Sequence, residues 1–227
     1  MNFYIRLIIL CLITLFLGYN MGIKGFLIGI GITIYKVLNS IGLIRSVNIS
    51  KLSFTGGLIY YKEYTGSYKK IGENFLELSN IIKKFKLSDY YIIGIYYDKP
   101  NETKEENQKA VYGIYKKVNV KNFKPNEDLE KYMTEEKFNK AELSNTNSLY
   151  SSWEYINTFS MILGISKFYQ TLDKSLKDQH FLKQYRMKVD QFKLCIELYD
   201  SENSMSFFIP LINHEQFMLH KDLKKDK

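Results

Sequence analysis

The chain has 227 residues, of which 45% are hydrophobic and 15% aromatic, enough apolar mass for one sizeable core and too little for two. Lys and Arg total 32 against 24 Asp and Glu, a formal charge of +8 that is spread along the whole chain. The only arginines are Arg6, Arg45 and Arg186, and Arg is the residue that grips phosphates and bases with a planar fork, so the excess Lys reads as solvated surface and no nucleic-acid partner is expected.

The first element is apolar. Leu7 to Leu17 carries no charge and apolar character continues to Ile23, so Ile5 to Ile23 meets the length of about 20 residues that crosses a bilayer. A cleaved signal peptide competes with this reading, but Leu17-Gly18-Tyr19 is a poor small-residue cleavage site and apolar sequence resumes after it. Arg6 precedes the span, whereas Lys24, Lys36, Arg45 and Lys51 follow it. Cations stay on the cytosolic side, which predicts a single pass with the rest of the chain facing the cytosol. The stretch 25–35 is shorter than a span; it lies at the interface, continues the first helix, or forms a short hairpin that returns both termini to one side. Cys11 and Cys195 cannot pair across the membrane boundary, which favours a reducing compartment.

Beyond Ser40 the order strand, helix, strand, strand occurs twice. Val47 to Tyr64 reads as extended around Gly56-Gly57, Ile71 to Phe85 carries a helical stripe, and Tyr90 to Tyr97 and Ala110 to Val118 read as strands. The polar stretch Lys121 to Glu136 reads as a linker. In the second unit, Phe138 to Trp153 holds the leading strand, Met161 to Leu176 stripes a helix behind Asn157 or Thr158 as N-cap, and Gln191 to Tyr199 and Met205 to Leu211 close it. Leu194, Ile196 and Leu198 face one way, and Cys195, Glu197 and Tyr199 the other. The predicted fold is α+β: duplicated strand-helix-strand-strand modules form an antiparallel sheet with two helices, behind an N-terminal transmembrane helix. The boundaries are 1–24 for the anchor, 25–45 for a juxtamembrane apolar segment, 46–212 for the domain and 213–227 for a short basic tail.

Three pieces carry a family likeness: Ile93-Gly94-Ile95-Tyr96-Tyr97-Asp98-Lys99-Pro100, Phe192 to Tyr199, and Phe207-Phe208-Ile209-Pro210-Leu211. They resemble the signatures of the gyrase-inhibitor-like (GyrI-like) domain family, over roughly Val47 to Leu211. With an N-terminal anchor, the chain is most similar to the family's membrane-bound branch, which acts in autophagy of the endoplasmic reticulum. The resemblance implies a cleft holding a small cationic or aromatic ligand near a buried carboxylate, with hydrolysis in a few members. It also implies a cytosolic ER-phagy receptor or adaptor whose partner is the autophagosomal ubiquitin-like protein. That partner's motif belongs to an acidic tail in the family, whereas Ile212 to Lys227 is short and basic.

On the residues themselves, Glu197 beside Tyr199 can attract a cation through charge and ring quadrupole, or is an exposed strand Glu paired with a Lys. Tyr97, Asp98 and Trp153 are candidates for the cleft wall, although Tyr97 and Trp153 also read as core or rim aromatics and Asp98 as a turn initiator. Trp153 and Ile156 have the aromatic and aliphatic spacing for adding a strand to a partner's sheet, against a structural role for both. Lys224 and Lys225 match a dilysine retrieval signal, which suggests the endoplasmic-reticulum membrane. No metal or cofactor is expected, and no nucleophile elbow, phosphate loop or paired-carboxylate motif is present. The expected role is a membrane-anchored binding protein and not an enzyme, with hydrolysis by a Glu197-activated water as the alternative.

Overall fold

The computed structural model describes residues 3–99, 102–118, 126–185, 194–200 and 203–223. It divides into two compact units, Met1–Val47 with Trp153–Thr171, and Asn48–Ser152 with Leu172–Lys227.

The first unit begins with α1, Phe3–Ser40. Gly22 breaks it with φ 63° and ψ −150°, a backbone that L side chains avoid. The chain reverses there. A Cβ at Gly25 would meet the Leu17 carbonyl, one at Gly29 would meet Thr14, and Gly18 lies against Phe26. The Thr14 and Thr33 hydroxyls share a hydrogen bond of 3.1 Å. These residues are too far apart in sequence to touch along one rod, so 3–21 and 23–40 form an antiparallel helical hairpin. Residues 25–35 therefore pack along the first apolar stretch and do not lie apart from it. Small residues at the crossing let the two backbones approach closely.

The second half of this unit is held by contacts of Trp153 and Lys167. Gly42, at φ 88°, leaves room for the Trp153 ring, which a Cβ there would meet at 2.2 Å. The Arg45 guanidinium lies 3.7 Å from the centroid of that ring, and Trp153 Nε1 donates to the Ser160 carbonyl at 2.8 Å. Lys167 Nζ donates to the carbonyls of Gly42, Leu43 and Arg45 at 2.7, 2.8 and 2.8 Å, satisfying acceptors just beyond the C-terminal end of α1.

The second unit carries the sheet. Its strands are β1 (Ser50–Phe54), β2 (Gly57–Thr65), β3 (Tyr90–Tyr96), β4 (Lys109–Lys117), β5 (Asn139–Leu143), β6 (Thr146–Glu154), β7 (Cys195–Tyr199) and β8 (Ser204–Pro210). The helices are α2 (Gly72–Lys84), α3 (Glu127–Glu135) and α5 (Gln179–Tyr185), while α4 (Thr158–Lys177) belongs to the first unit through Thr171. The sheet order is β1-β6-β8-β7-β3-β4-β2-β5. Exchanging each strand of one module for its counterpart in the other reverses this order onto itself, the signature of a duplication about a pseudo-twofold axis between β3 and β7. The leading strands are exchanged: β1 pairs with β6, and β5 with β2.

Strand alternation puts two cores on the two faces. One holds Leu58, Tyr60, Tyr96, Tyr112 and Ile114 against Leu78 and Ile81 of α2 and Leu129 and Met133 of α3. The other holds Ile59, Ile93, Ile95, Tyr115, Ile196 and Phe208 against Phe54, Phe217 and Leu219. Two expectations change here. The stretch read as a linker contains α3, capped by the Asn126 side chain accepting from Asp128 and Leu129 N–H groups. The segment from 213 is not a loose tail through 223, because Phe217 is fully buried and His220 is 1% exposed.

Candidate functional site

The site is built on β7 and β3. Glu197 is paired across the ladder with Gly94 on one side and Phe207 on the other. Alternation sends Cys195, Glu197 and Tyr199 to the face that α2 covers, while Leu194, Ile196 and Leu198 go to the opposite core. Glu197 is 3% exposed, so its carboxyl depends on polar partners close by. One of them is the Tyr199 hydroxyl, which donates to Oε2 at 2.5 Å.

Gly94 makes the space. A Cβ there would stand 2.8 Å from Tyr96 Cε2 and 2.9 Å from its hydroxyl oxygen. The Tyr96 ring thus folds back over Gly94 toward the ladder partner of Gly94, Glu197. Tyr96 and Tyr199 are both buried beside it. Burial and the adjacent Glu197 charge push both phenols well above the usual tyrosine range, so they remain neutral donors.

Two further rings complete the enclosure. Phe75 of α2 meets Tyr199 edge-on at 5.1 Å, and Tyr68 meets Tyr96 edge-on at 4.9 Å. Tyr68 is fixed in turn by donating to the Lys109 carbonyl at 2.6 Å and accepting from Asp98 N–H at 3.2 Å. A carboxyl beside Tyr96 and Tyr199, whose rings pack in turn on Tyr68 and Phe75, offers a cation both a negative charge and neighbouring aromatic rings.

Of the residues singled out in the sequence, Glu197 and Tyr199 come together here and the others do not. Tyr97 follows β3 and projects to the opposite face, where its hydroxyl donates to the Phe217 carbonyl at 2.7 Å and accepts from Leu219 N–H at 3.1 Å. Asp98 organises the β3–β4 loop, accepting from Lys109 N–H at 2.6 Å and Thr103 Oγ1 at 3.1 Å; it reaches the site only through Tyr68. Trp153 is 2% exposed and committed to Arg45, Gly42 and Ser160 in the first unit. Ile156 is 38% exposed in the turn before α4. Lys224 and Lys225 lie outside the described residues. The members that sequence reasoning missed are Tyr96, Tyr68 and Phe75. Tyr96 shares the parity of Gly94, a signal present in the sequence, whereas Tyr68 and Phe75 arrive from outside the strand.

A second cleft, of about 250 Å³, opens on the other face between Phe54, Tyr91, Tyr115, Tyr150, Leu198 and Phe208. Its acid, Asp200, already accepts from the N–H and hydroxyl of Ser204 at 2.9 and 2.6 Å. Among the described residues, no group of three His, Cys, Asp or Glu is arranged to hold a metal.

No family model matches the chain, and no curated protein matches it. Solved structures do. The EcmrR C-terminal domain is 12% identical with a TM-score of 0.42, spanning 72% of this chain and 96% of that one. SAV2435 bound to tetraphenylphosphonium is 11% identical with a TM-score of 0.44, spanning 74% and 96%. A hydrolase from Listeria innocua is 7% identical with a TM-score of 0.41, spanning 73% and 92%. At such values the likeness concerns the arrangement of the chain alone.

Proposed function

We propose that this chain is a membrane-anchored binding protein whose sheet domain receives a small organic cation, preferably aromatic, at Glu197. The single observation that carries the reading is the buried Glu197 carboxyl with Tyr199 donating to it at 2.5 Å inside an aromatic enclosure. A buried carboxylate beside aromatic rings favours a cation of matching shape through charge and ring quadrupole together. The site is closed at 3% exposure, so entry requires Phe75 or Tyr199 to move aside.

The anchor is the hairpin. Arms of 19 and 18 residues are each about 27–29 Å long at 1.5 Å per residue, close to the roughly 30 Å hydrocarbon core. α1 is long and apolar enough to cross a membrane and is almost entirely unburied.

A thermal-shift screen on the full chain in detergent tests the binding role, pairing each aromatic cation with a neutral molecule of similar shape. Cations should raise the melting temperature of the wild type and leave Glu197→Gln unmoved. Equal stabilisation of both proteins, or of neither by any cation, would remove the proposal.

A role in turnover of the endoplasmic reticulum is the second reading, supported by the resemblance of an anchored domain of this type to the receptor branch of the GyrI-like family. Burial of Trp153 withdraws the Trp153 to Ile156 segment from strand addition to a partner. Co-precipitation with the autophagosomal ubiquitin-like protein, together with localisation against an endoplasmic-reticulum marker, tests this role. Absence of both signals removes it.

A further inference from the structure

The first unit has a composition unlike the rest of the chain. Across residues 1–47 and 153–171 its charged residues are Arg6, Lys24, Lys36, Arg45 and Lys167, with Glu154 the lone acid. Tyr155 to Ser166 carries no charge at all, in a chain that is 25% charged. Within that stretch three large apolar side chains are exposed: Ile156 at 38%, Phe159 at 56% and Ile162 at 57%. Phe159 and Ile162, three residues apart, share one side of the start of α4, and Ile156 lies in the turn just before it.

The position of this face is fixed. Trp153 seats on Gly42, two residues past the end of the hairpin, and Lys167 holds the carbonyls of Gly42, Leu43 and Arg45. The beginning of α4 is therefore tied to the base of the hairpin, where Leu43 and Ile44 are also exposed at 44% and 47%. An apolar helix face with a cationic, nearly acid-free surround suits the interface of a bilayer, where apolar side chains sink among acyl chains and cations meet anionic headgroups.

We propose that the first unit is a two-part membrane module: the hairpin is embedded, and the Phe159 and Ile162 face of α4, with Ile156 in the turn before it, lies in the headgroup boundary of the leaflet from which the hairpin emerges. The occupant of this surface is the lipid bilayer. The proposal rests on the reading of α1 as a membrane anchor and adds a second contact to it.

The test uses the full chain in vesicles of phosphatidylcholine and phosphatidylserine, on a Cys11→Ser background with buried Cys195 left in place. An environment-sensitive fluorophore is attached to a single added cysteine, Leu12→Cys, Phe159→Cys or Lys69→Cys. Quenchers are lipids spin-labelled at shallow or deep positions on the acyl chain. The label at 159 should be quenched more strongly by the shallow lipid, that at 12 by the deep lipid, and that at 69 by neither. If 159 behaves like 69 while 12 is quenched, the α4 contact is overturned and the anchor stands. If 12 is also unquenched, the anchor reading itself fails. Ile162→Cys repeats the measurement, and must give the result of 159, should Phe159→Cys not fold.

Discussion

The two units use hydrophobic residues in opposite ways. In the sheet domain, Ile59, Ile93, Ile95, Ile114 and Phe207 are fully buried, whereas in the hairpin Ile8, Phe16 and Ile23 are 60%, 65% and 70% exposed. The sheet domain supplies its own apolar solvent by packing two faces against helices and the C-terminal segment. The hairpin has only its partner arm, so most of its apolar surface requires another medium. Apolar residues thus serve two solvents, and what separates the two units is the density of charge between those residues.

The largest expected test of that contrast is alkaline titration. Burial raises Tyr60, Tyr68, Tyr97 and Tyr115 above the usual range, and Tyr90 is pushed up to about 12, chiefly by burial with the adjacent Asp89 and Glu130 charges helping. These folded-state values exceed the unfolded value of about 10, so the folded state holds protons that the unfolded chain loses. Their contribution is whole below pH 10 and is lost as pH climbs toward 12. Circular dichroism of the full chain in vesicles should show the sheet signal collapsing above pH 10 while helical signal from the hairpin persists. Loss of both together would break the contrast.

Next comes Gly113→Ala in β4, where a Cβ would stand 1.9 Å from the Tyr60 carbonyl oxygen. It should cost about 3 kcal/mol in the sheet domain by urea titration. Tyr199→Phe follows, leaving the Glu197 carboxyl without its hydroxyl donor, and should cost about 1.5–3 kcal/mol in the same assay. Gly42→Ala strikes the other unit through positive φ and the Trp153 ring, at about 2 kcal/mol. Because Trp153 is the sole tryptophan, its emission should shift to the red while the urea midpoint of the sheet stays put. The smallest effect is Asn126→Ala, which removes the α3 cap and should lower the sheet domain's stability by about 1 kcal/mol.

Much of the sheet domain is legible in sequence because strands write period two and helices period 3.6. Leu194, Ile196 and Leu198 against Cys195, Glu197 and Tyr199 is such a pattern, and it placed Glu197 on its face. The duplicated order of elements is legible for the same reason, while the exchange of β1 and β5 between modules is a long-range pairing that no local pattern encodes. α3 escapes notice because its polar, acidic surface looks like a linker and only Leu129 and Met133 face inward. Tyr97 is one residue out of phase with Tyr96, which is enough to send it to the other core. The hairpin turn is written in one residue, Gly22, in a run where Gly18, Gly25 and Gly29 serve helix contact instead.

Glu197 is proposed as a charge-selective receptor for an organic cation. The decisive measurement is isothermal titration of the full chain with an aromatic quaternary ammonium cation, wild type against Glu197→Gln at one pH and ionic strength. Loss of one buried charge partner, worth about 2–5 kcal/mol, predicts affinity weaker by at least tenfold in the variant. Equal affinity in both proteins would contradict the claim.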